Sequence, residues 1–460
     1  MPLLVKRTQH AIGQGGFHSS YLYANDKRFS LVFDCGGSTK THRATVIGPV
    51  VDEGQHDWLV VSHLDADHIN GVSQLESEGV RFSNVFLPHV DLSHQLFLIL
   101  LKSAGRGSVG GRAAGLNALL IVGKLYAGAY GRARVVVPGD RDRGDRQRQD
   151  LFPNSNGPEH TRLPDLTPDG LEPSVLLDKD AQKSLGASGG KTFQDTQSVR
   201  ISGKNWEMRF YSDEWGFPAS LTKLWALPVL KPLRDAMEYL SLLGSNSGIG
   251  FINGIEAALN GPVSAAAANA ALATIAPTFQ KISKAISVNS LLKKLYQALP
   301  DLHDYNSSSL CLYSGPIAET YPASWRYMRC MSLPDEHYES RCRGDSVGWL
   351  GMGDAHLHDA AAFRRFREHY QKHLGLLSTL VLPHHGSRHN YDSERIQLHR
   401  LLAPIAPCDV PVFVVASNPH HKKFRHPHQE VVRIANMYGD VHNVNLNPDS
   451  AFGEIVVEYT

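Results

Sequence analysis

The hexapeptide His63-Leu64-Asp65-Ala66-Asp67-His68 puts four metal-capable side chains within six residues. Histidine supplies neutral nitrogen ligands, and aspartate supplies oxygens that offset the charge of a divalent ion. Two further clusters hold the same residue types: Gly353-Asp354-Ala355-His356, with a lone carboxylate, and Pro383-His384-His385-Gly386-Ser387. Each has a bland alternative. Asp67 could cap a helix over Ile69 to Leu75, and the other two could be an ordinary turn with a surface acid or histidine. The chain has 24 histidines against 7 methionines, and most of them must simply sit on the surface. The argument for a metal site is that all three clusters fall at the end of an apolar run.

Those runs are the elements that would position the ligands. Asp57 to Ser62 (DWLVVS) reads as a strand buried on both faces, and it stops at His63. Gly348 to Gly353 (GWLGMG) and Ser378 to Leu382 (STLVL) lead into the other two clusters. Ser30 to Asp34, Val85 to Leu87, Ser309 to Tyr313, Pro411 to Ala416 and Glu454 to Tyr459 read as further strands. Asp359 to Lys372, Ser393 to Leu402 and His428 to Tyr438 read as helices between them. The alternation predicts an α/β domain with its site at the carboxyl ends of strands. It has two halves, 1–94 and 301–460, around an insertion over 95–300 that is loop-rich and then, over 218–298, helical.

Composition removes several classes. Lys plus Arg is 46 and Asp plus Glu 45, a net charge of +1, so bulk charge does not hold the chain to nucleic acid or membrane. With 42% apolar and 20% charged residues, wholesale disorder is excluded. Five scattered cysteines form no C-x-x-C, which argues against a disulfide framework or a cysteine zinc site. Met1 to Arg7 lacks a secretory hydrophobic region, and the longest uncharged stretch, Ala257 to Gln280, suits a packed helix pair better than a membrane span. A cytoplasmic protein is expected. In the insertion, Arg106, Arg112, Arg132, Arg134, Arg141, Arg143, Arg146 and Arg148 form a basic strip. Asp140, Asp142, Asp145 and Asp150 are interleaved with it, so a solvated, salt-bridged loop competes with a nucleic-acid contact.

HLDADH, then GDA, then PHHGS resembles the metallo-β-lactamase fold in its nuclease-like branch. More narrowly it resembles the soluble hydrolase domain of the competence protein family that handles DNA uptake. Gly13-Gln14-Gly15, Phe33-Asp34-Cys35-Gly36, Asn306-Ser307-Ser308-Ser309-Leu310, Ser417-Asn418 and Arg425-His426-Pro427 extend the likeness in the same order. It covers about 1–90 and 301–460. The insertion matches no family pattern, and the multi-span channel of full-length competence proteins is not present. The family usually has His where Asp65 stands, and the extra oxygen shifts preference from Zn²⁺ toward Mn²⁺.

The resemblance implies a four-layer αββα sandwich with two divalent ions, Zn or Mn, that activate a water. It assigns His63 and Asp65 to one ion, Asp67 and His68 to the other, and Asp354 as a bridge. One of His384 and His385 completes the second site, with His384 nearer the usual strand-end position. His303 is a further candidate ligand, competing with an ordinary loop histidine, and His89 is a weaker one. Asp67 would also orient the nucleophile, and His426 would contact a phosphate or protonate the leaving oxygen; a plain helix-start histidine is the alternative for His426. His385, Ser387 and Asn418 could donate hydrogen bonds to substrate. The expected activity is that of a phosphodiesterase or nuclease with DNA or RNA as substrate. A small-molecule hydrolase (cyclic nucleotide, ester or thioester) and a subunit docking a protein partner through 95–300 remain the alternatives.

Overall fold

A computed structural model describes residues 2–37, 39–90, parts of 118–139, 192–213, 309–318, 324–331, 337–338, 346–405, 411–419 and 425–459. The chain runs through β1 (Leu4–Gln9), β2 (Phe17–Ala24), β3 (Lys27–Cys35), β4 (Gln55–Val60), β5 (Arg81–Pro88), β6 (Arg132–Val137), β7 (Thr192–Gln194), β8 (Ser198–Arg200) and β9 (Glu207–Tyr211). It continues through β10 (Cys311–Gly315), β11 (Ser324–Met331), β12 (His337–Tyr338), β13 (Gly348–Gly351), β14 (Leu377–Val381), β15 (Val412–Ala416), β16 (Asp440–Val444) and β17 (Phe452–Tyr459). The first sheet has the order β12-β11-β17-β1-β2-β3-β4-β5-β6-β7, and the second β16-β15-β14-β13-β10-β9-β8. Both are mixed: β3 through β7 run parallel, as do β13 through β16, while the remaining pairs are antiparallel.

The α/β class therefore holds, built on two sheets that share one core. Leu31, Phe33, Trp58, Val60 and Phe86 of the first sheet cluster with Met208, Phe210, Leu312 and Trp349 of the second. Alternation places them: Leu31 and Phe33, like Trp58 and Val60, are two apart and point the same way. Rings interlock across the gap, with Phe86 stacked 4.7 Å from Phe210 and Phe33 edge-on to Trp349 at 5.5 Å. The outer face of the second sheet, with Leu350, Leu380, Phe413 and Val415, clusters with buried residues of helices Ala360–Tyr370, Ile396–Leu402 and Gln429–Ala435. Asp359 caps the first of these by accepting from the Ala362 amide at 2.7 Å.

The segment 95–300 is not a separate lobe throughout. Residues 132–137 and 192–194 extend the first sheet, and 198–200 and 207–211 extend the second. Strand β6 pairs in parallel with β5, a contact that no local pattern in the sequence marks. Arg134, assigned to the basic strip, is buried in β6 with its Nε donating to Asn84 Oδ1. The expected helices over 218–298 and most of the basic strip lie outside the described residues. Among the described residues, no helix is long and apolar enough to cross a membrane.

Short strands were expected up to about residue 90, but β1 and β2 were not placed individually, because half of each inner face is polar beside Val5, Leu22 and Ala24. Arg7, Gln9, His18 and Ser20 are buried there where an apolar pattern would be looked for. Arg7 Nε lies 3.1 Å from Glu454 Oε2, both side chains 1% exposed, and Arg7 Nη2 donates to the Val347 carbonyl at 2.8 Å. Tyr327 and Thr379 donate their hydroxyls to the same carboxylate. Glu454 thus ties β11 and β1 of its own sheet to β14 of the other. Glu454→Ala strands a buried guanidinium and should cost roughly 3–5 kcal/mol in urea unfolding. The double replacement Arg7→Met with Glu454→Leu removes both charges and should cost less. Equal losses in the single and the double variant would refute this account of the pair.

Candidate metal centre

The three clusters meet at the ends of β4, β13 and β14. Strand β4 delivers His63 after the buried Val61 and Ser62, and the single helical turn Ala66–Ile69 lifts Asp67 and His68 beside it. Leu310, just before β10, donates its amide to the Ser62 carbonyl at 2.7 Å, closing the second sheet onto this loop. Gly353 holds φ +52°, and a Cβ there would lie 2.4 Å from Ser62 Oγ. The close approach of loop to loop needs a glycine. The His384 amide then donates to the Gly353 carbonyl at 3.0 Å, which joins the last cluster to the one bearing Asp354.

The imidazoles are oriented by their Nδ1 partners. The backbone carbonyl of Ala416 can only accept, so His385 Nδ1, 2.7 Å away, donates. Asp34 Oδ2 accepts from His68 Nδ1 at 2.8 Å and from the Ser62 hydroxyl at 2.6 Å. With its proton given to Asp34, Ser62 Oγ accepts from His63 Nδ1 at 3.0 Å. These bonds direct Nε2 of all three rings inward. Such an Nδ1 bond fixes tautomer and ring orientation in metal-ligating histidines. The Nε2 atoms of His63, His68 and His385 are buried and none makes a formed hydrogen bond among the described atoms. Polar atoms orphaned in this way ask for a partner such as a cation.

All of them converge on Asp354, which is 4% exposed. Its Oδ2 faces His63 Nε2 at 3.5 Å and His384 Nε2 at 3.9 Å. Its Oδ1 faces His68 Nε2 at 3.3 Å and His385 Nε2 at 3.7 Å. Asp67 Oδ2 lies 3.4 Å from His385 Nε2. Ligand atoms of His63, His68 and Asp354 sit within 4.8 Å of one another, and so do those of Asp67, His68 and His385. The donor set is nitrogen and oxygen, suited to Zn²⁺ or Mn²⁺.

The electrostatics favour positive charge in this spot. Burial opposes ionisation of Asp354, but His63, His385, His68 and His384 outweigh it and hold its carboxyl well below the ordinary range. Burial opposes protonation of His68, but Asp354 and Asp34 outweigh it and hold its pKa well above the usual value. His385 is raised likewise, with Asp354 and Asp67 overcoming burial. Burial lowers His63 and His384. The acids thus raise the proton affinity of His68 and His385, while burial lowers that of His63 and His384.

The structure thus brings together His63, Asp67, His68, Asp354, His384 and His385. Asp65 sits at the foot of the helical turn, where its carbonyl accepts from the His68 amide, and its charge acts on His63 and His384. One of His384 and His385 was expected to complete the second site, with His384 favoured and His385 also a candidate substrate contact; His385 stands inside the cluster and His384 is the outer of the two. Both have left-handed backbones, φ 56° and 51°, so the turn sends their rings to different sides. Ser387 Oγ accepts from the His389 amide at 3.4 Å and serves the turn. His426 is buried, its ring centroid 5.9 Å from that of His384. Asn418 follows β15 and is half-buried. His303 lies outside the described residues.

Asp34 is the functional residue to which the sequence reading gave no role. It is the last residue but one of β3, with φ +56°, and accepts from the Ser62 amide as well, at 2.7 Å. The available signal was an acid at a strand end before Gly36-Gly37. Gly16 is its counterpart, since a Cβ there would lie 2.7 Å from His68 Nδ1 and 2.8 Å from Asp34 Oδ2. Asp34→Asn, which swaps an acceptor for a donor at His68, should weaken divalent-ion binding by about 10–100-fold, the usual effect of losing a partner behind a ligating histidine. Gly16→Ala should weaken it too. Chelator-competition titration measures both, and unchanged affinity in the two variants would rule out this support role. The chain matches no protein-family model, and no curated protein matches it.

Proposed function

We propose that the chain is a metallohydrolase of the metallo-β-lactamase fold that binds two divalent ions, Zn or Mn, and cleaves phosphodiesters of DNA or RNA. The observation that carries the reading is the convergence of four imidazole Nε2 atoms, two on each oxygen of the buried Asp354. One imidazole lone pair serves one ion, so the side chains divide by the oxygen they face. His63, His384 and Oδ2 of Asp354 would hold one ion, with Asp65 nearby. His68, His385, Asp67 and Oδ1 of Asp354 would hold the other. Bound divalent ions supply a nucleophilic water at neutral pH, by lowering its pKa from ~15.7 toward ~7, and offset charge on a phosphoryl oxygen.

The protein's own groups supply orientation. Burial opposes ionisation of Asp67, but His385 and His68 hold its carboxyl well below the ordinary range, so it is an acceptor at neutral pH. Only partly buried, with its side chain 35% exposed, it can take a hydrogen bond from an attacking water. Burial and the neighbouring His385 and His384 lower His426 to about 3. Its ring is then neutral at pH 7 and suited to donating a hydrogen bond to a phosphate oxygen rather than to storing a proton. Arg388 and Arg425 are exposed on the two segments that carry His384, His385 and His426, and they offer positive charge to a polyanion. The resemblance in sequence supports the same substrate class.

Purified protein loaded with Mn²⁺ or Zn²⁺ is assayed on single-stranded DNA, duplex DNA, RNA and bis(p-nitrophenyl) phosphate. Cleavage of a nucleic acid, abolished by EDTA, is expected. Hydrolysis of the chromogenic diester alone would remove the nucleic-acid clause, and hydrolysis of no diester by metal-loaded protein would overturn the proposal. Asp67→Asn should lower turnover by at least ~10²-fold, the scale of a lost proton-handling group, with circular dichroism unchanged. Asp354→Ala should lose more than one equivalent of metal in elemental analysis, because its two oxygens face different halves of the cluster.

A further inference from the structure

His18, on the inner face of β2, is 2% exposed. Its ring stacks on Trp349 of β13, centroids 4.1 Å apart and planes inclined by 19°. Both ring nitrogens are buried and lack a hydrogen-bond partner among the described atoms. A buried polar group left in that state costs about 1–3 kcal/mol. Phenylalanine would stack on Trp349 as well and carry no such cost. The histidine therefore implies a partner of its own.

A cavity of about 30 Å³ adjoins the ring. Gln9, His18 and Trp349 line it together with Asp34, His68, His385 and Asp354, so it abuts the metal centre. A water needs roughly 10–15 Å³ of such space and two to four polar neighbours. His18, with both nitrogens unpaired, and the acids Asp34 and Asp354 are on its lining and can supply those neighbours. Burial, with help from Arg7 and His10, keeps His18 neutral. A neutral imidazole has one donor and one acceptor, which a water can satisfy together. An anion would confront the two aspartates.

We propose that this cavity is a built water site behind the metal centre, in which one or two ordered waters bond both nitrogens of His18 and reach Asp34 and Asp354 from the interior. The water gives the Asp34–His68 pair a polar back wall. His18 is then a positioning residue that acts through it. This goes beyond the hydrolase reading and stands or falls separately from it, because its test needs neither metal nor substrate.

Oxygen-17 magnetic relaxation dispersion counts long-lived internal waters in solution. His18→Phe keeps the stack and removes both hydrogen-bonding groups, and it should show one or two fewer such waters than the native protein. His18→Gln retains a donor and an acceptor and should keep them. Crystals of the native protein under xenon pressure should show water density within hydrogen-bond reach of His18 and no xenon in the cavity. An equal water count in native and His18→Phe protein would overturn the proposal. So would xenon in the native cavity. If His18→Phe does not fold, the native xenon experiment and His18→Gln decide the matter.

Discussion

A carboxylate taken out of water must be met by positive charge or by donors, and Asp354 is met by four imidazoles. Much of the local structure is the consequence. Each imidazole has to present the same nitrogen, so the opposite nitrogen needs an acceptor behind it. Ala416, Ser62 and Asp34 provide those acceptors for His385, His63 and His68. Asp34 in turn has to stand close enough to bond Ser62 and His68 together, which leaves no volume for a side chain at position 16.

The molecule buries a second carboxylate in a different way. Glu454 is met by the permanent charge of Arg7 and by two hydroxyl donors. That arrangement carries its own positive charge and links the two sheets. The imidazoles around Asp354 bring positive charge to it only when they are protonated or when they hold a metal ion against it. One buried acid is thus neutralised by construction, the other conditionally. A conditional arrangement costs stability when it is empty, which makes sense for a centre that binds something and not for a core.

Three of the seven non-glycine residues with positive φ among the described residues lie in the same place. Asp34, His384 and His385 adopt left-handed conformations that non-glycine residues avoid. All three aim a polar side chain into or just behind the cluster. The surrounding pairings over-determine them: parallel pairing of β3 with β4 fixes the end of the first strand, and β14 with β15 fixes the turn after the second.

What the sequence determined by itself was local: the runs that become β3, β4, β13, β14 and β15, the three ligand clusters at their ends, and the α/β class. Those features are readable because a strand buried on both faces is continuously apolar and because HLDADH and PHHGS are compact. Strands β1 and β2 were not legible one by one, since Arg7, Gln9 and His18 interrupt their apolar pattern, and the partners of Arg7 lie in distant segments. Nor were β6 to β9, four strands that join the sheets from within a stretch read as an insertion. Which of His384 and His385 points inward was decided by the Ala416 carbonyl, 31 residues away in the chain. The role of Asp34 was decided by its distance to His68, 34 residues on. A spacing in sequence can name the groups able to bind a metal, but only the packing of two sheets sets which of their atoms face one another.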